Sequence, residues 1–306
     1  MTPYQAPWWL PGGHLQTLYG ALGPAPRVAW RRERWDTPDG DFIELDWAGG
    51  AHGPLLALFH GLEGGSSSHY ARKVAAQAQA RGWRCVVPHF RGCSGAMNRL
   101  PRAYHSGDSA ELDWILRRLR PDFAAGVSLG GNALLKWLGE QGADAAALVR
   151  RAVAVSAPVD LAASGHALGG GLNRALYARH FLVTLKAKAA AKIRLHRLPL
   201  DAARVQCART LHEFDDQVTA PLHGFRDADD YWARASSGPF LERIRVPTLL
   251  LNALNDPFLP RAPLAAATRR ASRDVMLEFP ETGGHAGFPG RGHWLARRIL
   301  DFCAAP

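Results

Sequence analysis

The sequence predicts an α/β fold: a mostly parallel sheet of about eight strands, opened by a hairpin and covered by helices on both faces. Three observations carry this. Short apolar runs alternate along the chain with stretches of helical pattern. One run, Leu55-Leu56-Ala57-Leu58-Phe59-His60, is apolar up to its last residue, as a strand buried on both faces requires. The pentapeptide Gly126-Val127-Ser128-Leu129-Gly130 stands between the apolar Phe123-Ala124-Ala125 and the helical stretch Gly131 to Leu138, the strand–turn–helix setting of a G-x-S-x-G turn.

The elements follow in order. Arg27 to Trp35 and Asp41 to Trp47 alternate apolar with polar around Thr37-Pro38-Asp39-Gly40, a hairpin signature. Strand three is Leu55 to His60, and a Gly- and Ser-rich loop leads from it into a helix over His69 to Arg81. Arg84 to Pro88 is the next strand, and a helix over Ser109 to Leu119 precedes the strand that enters the Ser128 turn. Arg151 to Ser156, Val246 to Asn252 and Val275 to Phe279 complete the strands, and residues 291–304 form a terminal helix. Residues 159–244 lack strand alternation and read as helices, a cap inserted in a single domain spanning 1–306, over the strand C-terminal ends where such sheets place their sites.

Composition narrows the class. With 306 residues, 47% hydrophobic and 21% charged, the chain is long and apolar enough for one domain with an insertion. It has no run of about 18 apolar residues, so no transmembrane helix is expected, and the N-terminus lacks the pattern of a signal peptide. Cys85, Cys93, Cys207 and Cys303 are scattered without C-x-x-C spacing, which points to a reducing cytoplasm, with Cys85 in the core. The net charge of +10 is spread from Arg31 to Arg298 without a cationic block, so nucleic acid is not the expected partner. The segment from Trp8 to Tyr19 is aromatic and apolar. It is expected to pack on the domain; an exposed patch for transient contact with a lipid surface or acyl chain is the alternative.

A serine hydroxyl needs a base to become a nucleophile at neutral pH, and the base needs an orienting group. The fold sets the chain order as serine, then an acid beyond a late strand, then a histidine beyond the last. Asp256 follows strand seven and His285 lies in a Gly-rich loop after strand eight, so Ser128, Asp256 and His285 are the candidate triad. Asp160 is the rival acid and His293 the rival base. Two backbone N–H groups should hold the oxyanion: that of Leu129, at a helix N-terminus, and that of Leu62, in His60-Gly61-Leu62-Glu63-Gly64 after strand three. No metal-ligand spacing such as H-E-x-x-H occurs, so no metal or cofactor is expected.

These residues resemble the YheT-like hydrolases, a branch of the α/β-hydrolase fold that includes animal membrane-associated lipases. The resemblance runs through nearly the whole chain. It is carried by Trp8-Trp9-Leu10 with Gly13-His14-Leu15-Gln16-Thr17, by the loop from His60 to Gly64, and by Arg91-Gly92-Cys93-Ser94-Gly95. Tyr104-His105-Ser106-Gly107-Asp108, the Ser128 turn with Asn132, Phe214-Asp215-Asp216, Thr219 to Phe225, Asn255-Asp256-Pro257-Phe258 and Gly283-Gly284-His285 complete it. It implies a serine carboxylesterase or lipase with its triad on Ser128, Asp256 and His285. The substrate pocket is expected to draw on His60, Glu63, Tyr104, His105 and Phe258. Arg91 is expected to hold Asp108 or the cap, and Phe214-Asp215-Asp216 to close the cap over the acyl chain.

The resulting function is hydrolysis of short- to medium-chain carboxylic esters or monoacylglycerols through an acyl-enzyme. Acyl transfer uses the same triad and is the alternative among enzymes; a binding protein on an inert hydrolase fold is the alternative of another class. The partner is a small-molecule ester or lipid, and the sequence leaves the oligomeric state open.

Overall fold

The computed structural model describes residues 4–290 and 292–305. Its strands are β1 (Arg31–Asp36), β2 (Phe42–Ala48), β3 (Leu55–Phe59), β4 (Arg84–Pro88), β5 (Phe123–Val127), β6 (Arg151–Val155), β7 (Thr248–Leu251) and β8 (Val275–Glu278). They form one sheet in the order β1-β2-β4-β3-β5-β6-β7-β8. The opening hairpin and the β2–β4 pair are antiparallel, and every other pair is parallel. This is the α/β-hydrolase arrangement that the sequence predicts. The first strand begins at Arg31, not Arg27, because its register against β2 starts at the Arg31–Trp47 pair.

The helices are α1 (Gly13–Leu22), α2 (His69–Ala80), α3 (Ser109–Leu119), α4 (Leu129–Gln141), α5 (Leu161–Gly169), α6 (Arg179–His196), α7 (Ala228–Ala235), α8 (Arg261–Thr268) and α9 (Trp294–Ala304). Period-two alternation splits each central strand between two cores. Leu55, Ala57 and Phe59 of β3 pack with α3 and α4, while Leu56 and Leu58 pack with α2 and α9. Burial on both faces is why these strands read as unbroken apolar runs. Between β6 and β7 the chain leaves the sheet for a helical excursion, Leu161–Arg243. It holds α5 to α7, short helices between them, and a π-helical turn over Asp215–Thr219. Among the described residues no helix is long and apolar enough to cross a membrane.

Candidate active site

Strand β5 ends at Val127 and α4 starts at Leu129, so Ser128 alone makes the turn. Its φ of 54° and ψ of −121° lie where residues with a Cβ are strained. The surroundings enforce that conformation. A Cβ on Gly126 would stand 2.3 Å from the Gly130 carbonyl oxygen, and one on Gly130 would stand 2.6 Å from the carbonyl oxygens of both Phe59 and His60. The Ser128 N–H donates to the Val155 carbonyl at 2.8 Å, and its own carbonyl accepts from the Asn132 N–H at 3.0 Å.

Three side chains meet at this turn. His285 Nε2 lies 2.9 Å from Ser128 Oγ, and His285 Nδ1 lies 2.9 Å from Asp256 Oδ2. The Asp256 side chain is fully buried, and its other oxygen accepts the Phe258 N–H at 2.8 Å. A neutral imidazole in this arrangement donates from Nδ1 to the carboxylate and accepts the serine proton at Nε2. The rivals stand elsewhere. Asp160 caps α5 by accepting the Ala163 N–H at 2.9 Å. His293 precedes α9, and no bond joins it to Ser128.

The loop carrying His285 is held by α1. Gln16 Oε1 accepts from the Gly283 N–H at 2.8 Å and from Asn255 Nδ2 at 2.9 Å. Asn255 Oδ1 accepts the Gly284 N–H at 3.0 Å, and Thr17 Oγ1 accepts the His285 N–H at 2.8 Å. A Cβ on Gly13 would stand 1.9 Å from the Asn255 carbonyl oxygen, and one on Gly20 2.5 Å from Gly287 Cα. The helix therefore lies flush on both the acid loop and the histidine loop. Sequence reasoning missed this role of Gln16 and Thr17. The available signal was two polar residues inside an otherwise apolar, aromatic run.

The run Gly61 to Gly65 faces the turn: a Cβ on Gly61 would come 3.1 Å from Ser128 Cβ. Its N–H groups find acceptors one after another. Gly61 donates to the Tyr70 hydroxyl, Glu63 to the Tyr104 hydroxyl, Gly64 to the Gly61 carbonyl and Gly65 to Ser68 Oγ. The N–H of Leu62 has no acceptor among the described residues. That of Leu129 is in the first turn of α4, where no intrahelical acceptor exists. Leu62 and Leu129 both line the cavity that opens at Ser128. Two free donors there suit an oxyanion.

The cavity measures about 160 Å³ and runs from Ser128 under the helical excursion. Its walls are mostly aliphatic and aromatic, including Leu161, Leu168, Leu185, Phe214 and Trp232. Of the predicted pocket residues, Glu63, Tyr104 and His105 line it. His60 and Phe258 do not. His60 is fully buried, donating from Nδ1 to the Gly61 carbonyl at 2.7 Å and accepting the Phe90 N–H on Nε2 at 3.0 Å. Burial drives its pKa down to about 3, which keeps it neutral and able to do both. Phe258 stacks against the His285 ring, with centroids 4.1 Å apart, so it braces the histidine.

Polar ties hold the excursion over the cavity. Glu63 Oε1 accepts from Tyr104 Oη and from Lys188 Nζ of α6, both at 2.8 Å. Lys192 Nζ donates to the carbonyls of Leu100 and Arg102 at 2.6 and 2.8 Å. Asp215 lies in the cavity wall and accepts from Thr219 Oγ1 at 2.6 Å and Trp232 Nε1 at 2.9 Å. Burial raises its pKa to about 6. Asp216 accepts the Ala228 N–H at 3.2 Å, so it orders α7 and not the cavity.

The expectation for Arg91 is corrected. It ion-pairs with Asp39, Asp41 and Glu111, tying the hairpin to α3. Asp108 is held instead by Arg102, at 2.5 and 2.7 Å. Arg102 shares a short loop with Asp108, whereas the Arg91 guanidinium is taken up by three nearer carboxylates.

Known proteins are similar to this chain over most of its length. A family model for the α/β hydrolase fold matches residues 54–291. A protein of Escherichia coli strain K12 named as an esterase, YheT, is 40% identical over 313 residues, which cover 94% of this chain and 89% of that one. Human phospholipase ABHD3 is 28% identical, over 99% of this chain and 79% of its own. Among solved structures, an esterase from Exiguobacterium antarcticum shares the fold with a TM-score of 0.59 at 14% identity, covering 89% of this chain and 99% of that one.

Proposed function

This chain belongs to the α/β-hydrolase family as an ester-hydrolysing enzyme of the esterase and lipase type, and on that footing we propose that it cleaves short- to medium-chain carboxylic esters by serine acyl transfer to water. The observation that supports this most is the bridge His285 makes between Ser128 and Asp256, 2.9 Å on each side.

In the reaction, His285 Nε2 takes the Ser128 proton as Oγ attacks the ester carbonyl. The carbonyl oxygen becomes an oxyanion and accepts from the Leu62 and Leu129 N–H groups, each worth about 3 kcal/mol. Asp256 stays ionised, holds the imidazole in the required tautomer and stabilises the imidazolium. His285 then gives its proton to the leaving alcohol, the tetrahedral species collapses, and Ser128 carries the acyl group. A water molecule, deprotonated by His285, attacks the acyl carbonyl, and release of the acid regenerates Ser128.

We read residues 159–244 as a cap on a single domain spanning 1–306, with the reducing cytoplasm as its compartment. The volume beneath that cap supports the choice of substrate. About 160 Å³ is close to the roughly 150 Å³ apolar cavity known to admit a six-carbon ring, so acyl groups of about that size fit without opening the cap. Monoacylglycerols with such chains are within the class.

The test is hydrolysis of p-nitrophenyl esters of rising chain length by the wild type and Ser128→Ala. Turnover should peak at short chains and fall by roughly 10⁴-fold or more in the variant, with the thermal midpoint retained. Hydrolysis retained by Ser128→Ala would overturn the assignment.

A further inference from the structure

Two segments distant in sequence carry no acidic residue: residues 1–32, before Glu33, and residues 161–200, between Asp160 and Asp201. The second holds seven lysines and arginines. The fold brings the two together. His14 of α1 stacks on Tyr177 with ring centroids 5.9 Å apart, and its Nδ1 lies 3.2 Å from the Tyr177 hydroxyl. Leu18 packs on the cluster of Leu168, Tyr177, Phe258 and Leu259.

These segments also concentrate exposed apolar side chains. Twelve large apolar residues are exposed among those described, and nine of them lie here. Trp8 is 91% exposed, Leu22 83%, Leu172 65% and Val183 64%. In α1, Leu15, Tyr19 and Leu22 follow the i, i+4, i+7 spacing of one helical stripe, and it faces solvent. The opposite stripe, Gln16, Thr17 and Gly20, is buried against the histidine loop. Arg174 and Arg179 stand exposed among Leu172, Leu176 and Val183. A helix face of this composition is amphipathic in the sense opposite to a core helix: its apolar stripe is the one left to solvent.

We propose that this face docks the protein on an anionic lipid surface. Exposed Trp, Tyr and Leu suit the boundary between headgroups and acyl chains, and Arg174 and Arg179, exposed beside Leu172, Leu176 and Val183, suit anionic headgroups, while Trp8 borders a groove that also holds Glu278, Glu281 and Asp301. The net charge of +10 adds long-range attraction of the same sign. The face lies two rings from the site: Tyr177 is 4.6 Å from Phe258, and Phe258 is 4.1 Å from His285. Docking would therefore hold His285 close to the layer where lipid esters reside. That last use rests on the hydrolase reading; the docking does not.

The experiment is flotation with vesicles of phosphatidylcholine alone or with one-third phosphatidylglycerol, with tryptophan emission read in parallel. It compares the wild type with the combined variant Trp8→Ser, Leu22→Ser, Val183→Ser. Hydrolysis of soluble p-nitrophenyl butyrate, unchanged in the variant, shows that it is folded. The wild type should float with the phosphatidylglycerol vesicles and shift its emission to the blue, and the variant should bind roughly tenfold more weakly or less. No flotation, equal flotation on both vesicle types, or undiminished binding of the variant would overturn the proposal. So would a dimer seen by light scattering that the variant abolishes, which would assign the face to a second copy of the chain. Vesicle binding without any ester hydrolysis would leave the docking intact and remove the hydrolase reading.

Discussion

Ser128 stands on strands that are apolar on both faces, and its turn is shaped by backbone atoms in direct contact. The helices of Leu161–Arg243 lie across the same cavity. They pack on the rest of the fold at their ends, through Leu168 and Tyr177 against Phe258 and Leu259 and through Phe240 against Gly139, and over the cavity they are tied by polar side chains: Lys188, Lys192, Tyr231 and the amide of Asn132. The two walls teach different lessons about the reaction. Close-packed backbone sets where the reacting atoms sit and tolerates almost no change. Side-chain ties set how far the cavity extends and can be altered one at a time. Damage to the first wall should abolish chemistry or folding; damage to the second should change selectivity and pH behaviour.

The largest effect tests the sheet side. Gly130→Ala would drive a Cβ to within 2.6 Å of two carbonyl oxygens, those of Phe59 and His60 at the end of β3. Neither can move without displacing β3, so the variant should lose about 3 kcal/mol or more in urea unfolding, or fail to fold. A stability within about 0.5 kcal/mol of wild type would mean that the turn is not held by close packing.

The next effect tests the helical side. The folded Asp215 carboxyl has a pKa of about 6, above its ordinary 3.8. It keeps its proton while the unfolded chain has already lost one, so stability falls as pH rises from about 4 to 6, and the cost remains above that. Asp215→Asn removes this slope. The stability of the wild type relative to the variant should fall by about 2–3 kcal/mol between pH 4 and pH 7. Parallel unfolding curves for the two proteins would contradict it.

A smaller effect lies where the two lessons meet. Gln16 holds the His285 loop without touching the reacting atoms. Gln16→Ala should lower kcat by about 10- to 100-fold with KM nearly unchanged, because the imidazole shifts while the cavity does not. Gln16→Glu keeps the acceptor that the Gly283 N–H uses, and should recover part of the loss.

The smallest effect concerns Lys188→Met. The Glu63 pair is partly exposed, so its removal should cost about 1 kcal/mol or less of stability. The readout is the chain-length optimum, which should move toward longer esters as the α6 wall loosens. An unchanged optimum would detach α6 from selectivity.

Much of the sheet side was legible in the sequence because its physics is local. Unbroken apolar runs mark buried strands, and glycines mark the turn at Ser128. Asp256 and His285 stand beyond strand ends, so the fold's chain order already directs them toward Ser128. Contacts between side chains far apart in sequence were less legible. Arg91 could be matched to Asp108 by eye, yet its guanidinium meets Asp39, Asp41 and Glu111, a choice made by tertiary packing. The family resemblance put His60 and Phe258 in the pocket, but neither lines the cavity: His60 bonds the Gly61 carbonyl and the Phe90 N–H, and Phe258 packs on the His285 ring. The roles of Gln16 and Thr17 depend on bonds to residues near the other end of the chain; their polarity inside an apolar run marks the two residues but does not name those partners.

The central claim is that Ser128 is the activated nucleophile. Intact-mass and peptide mapping after reaction with a fluorophosphonate tests it most directly. One adduct, located on Ser128 and absent from Ser128→Ala and from heat-unfolded protein, is the predicted result. A folded protein that takes no adduct, or one that carries it on another residue, would contradict the account.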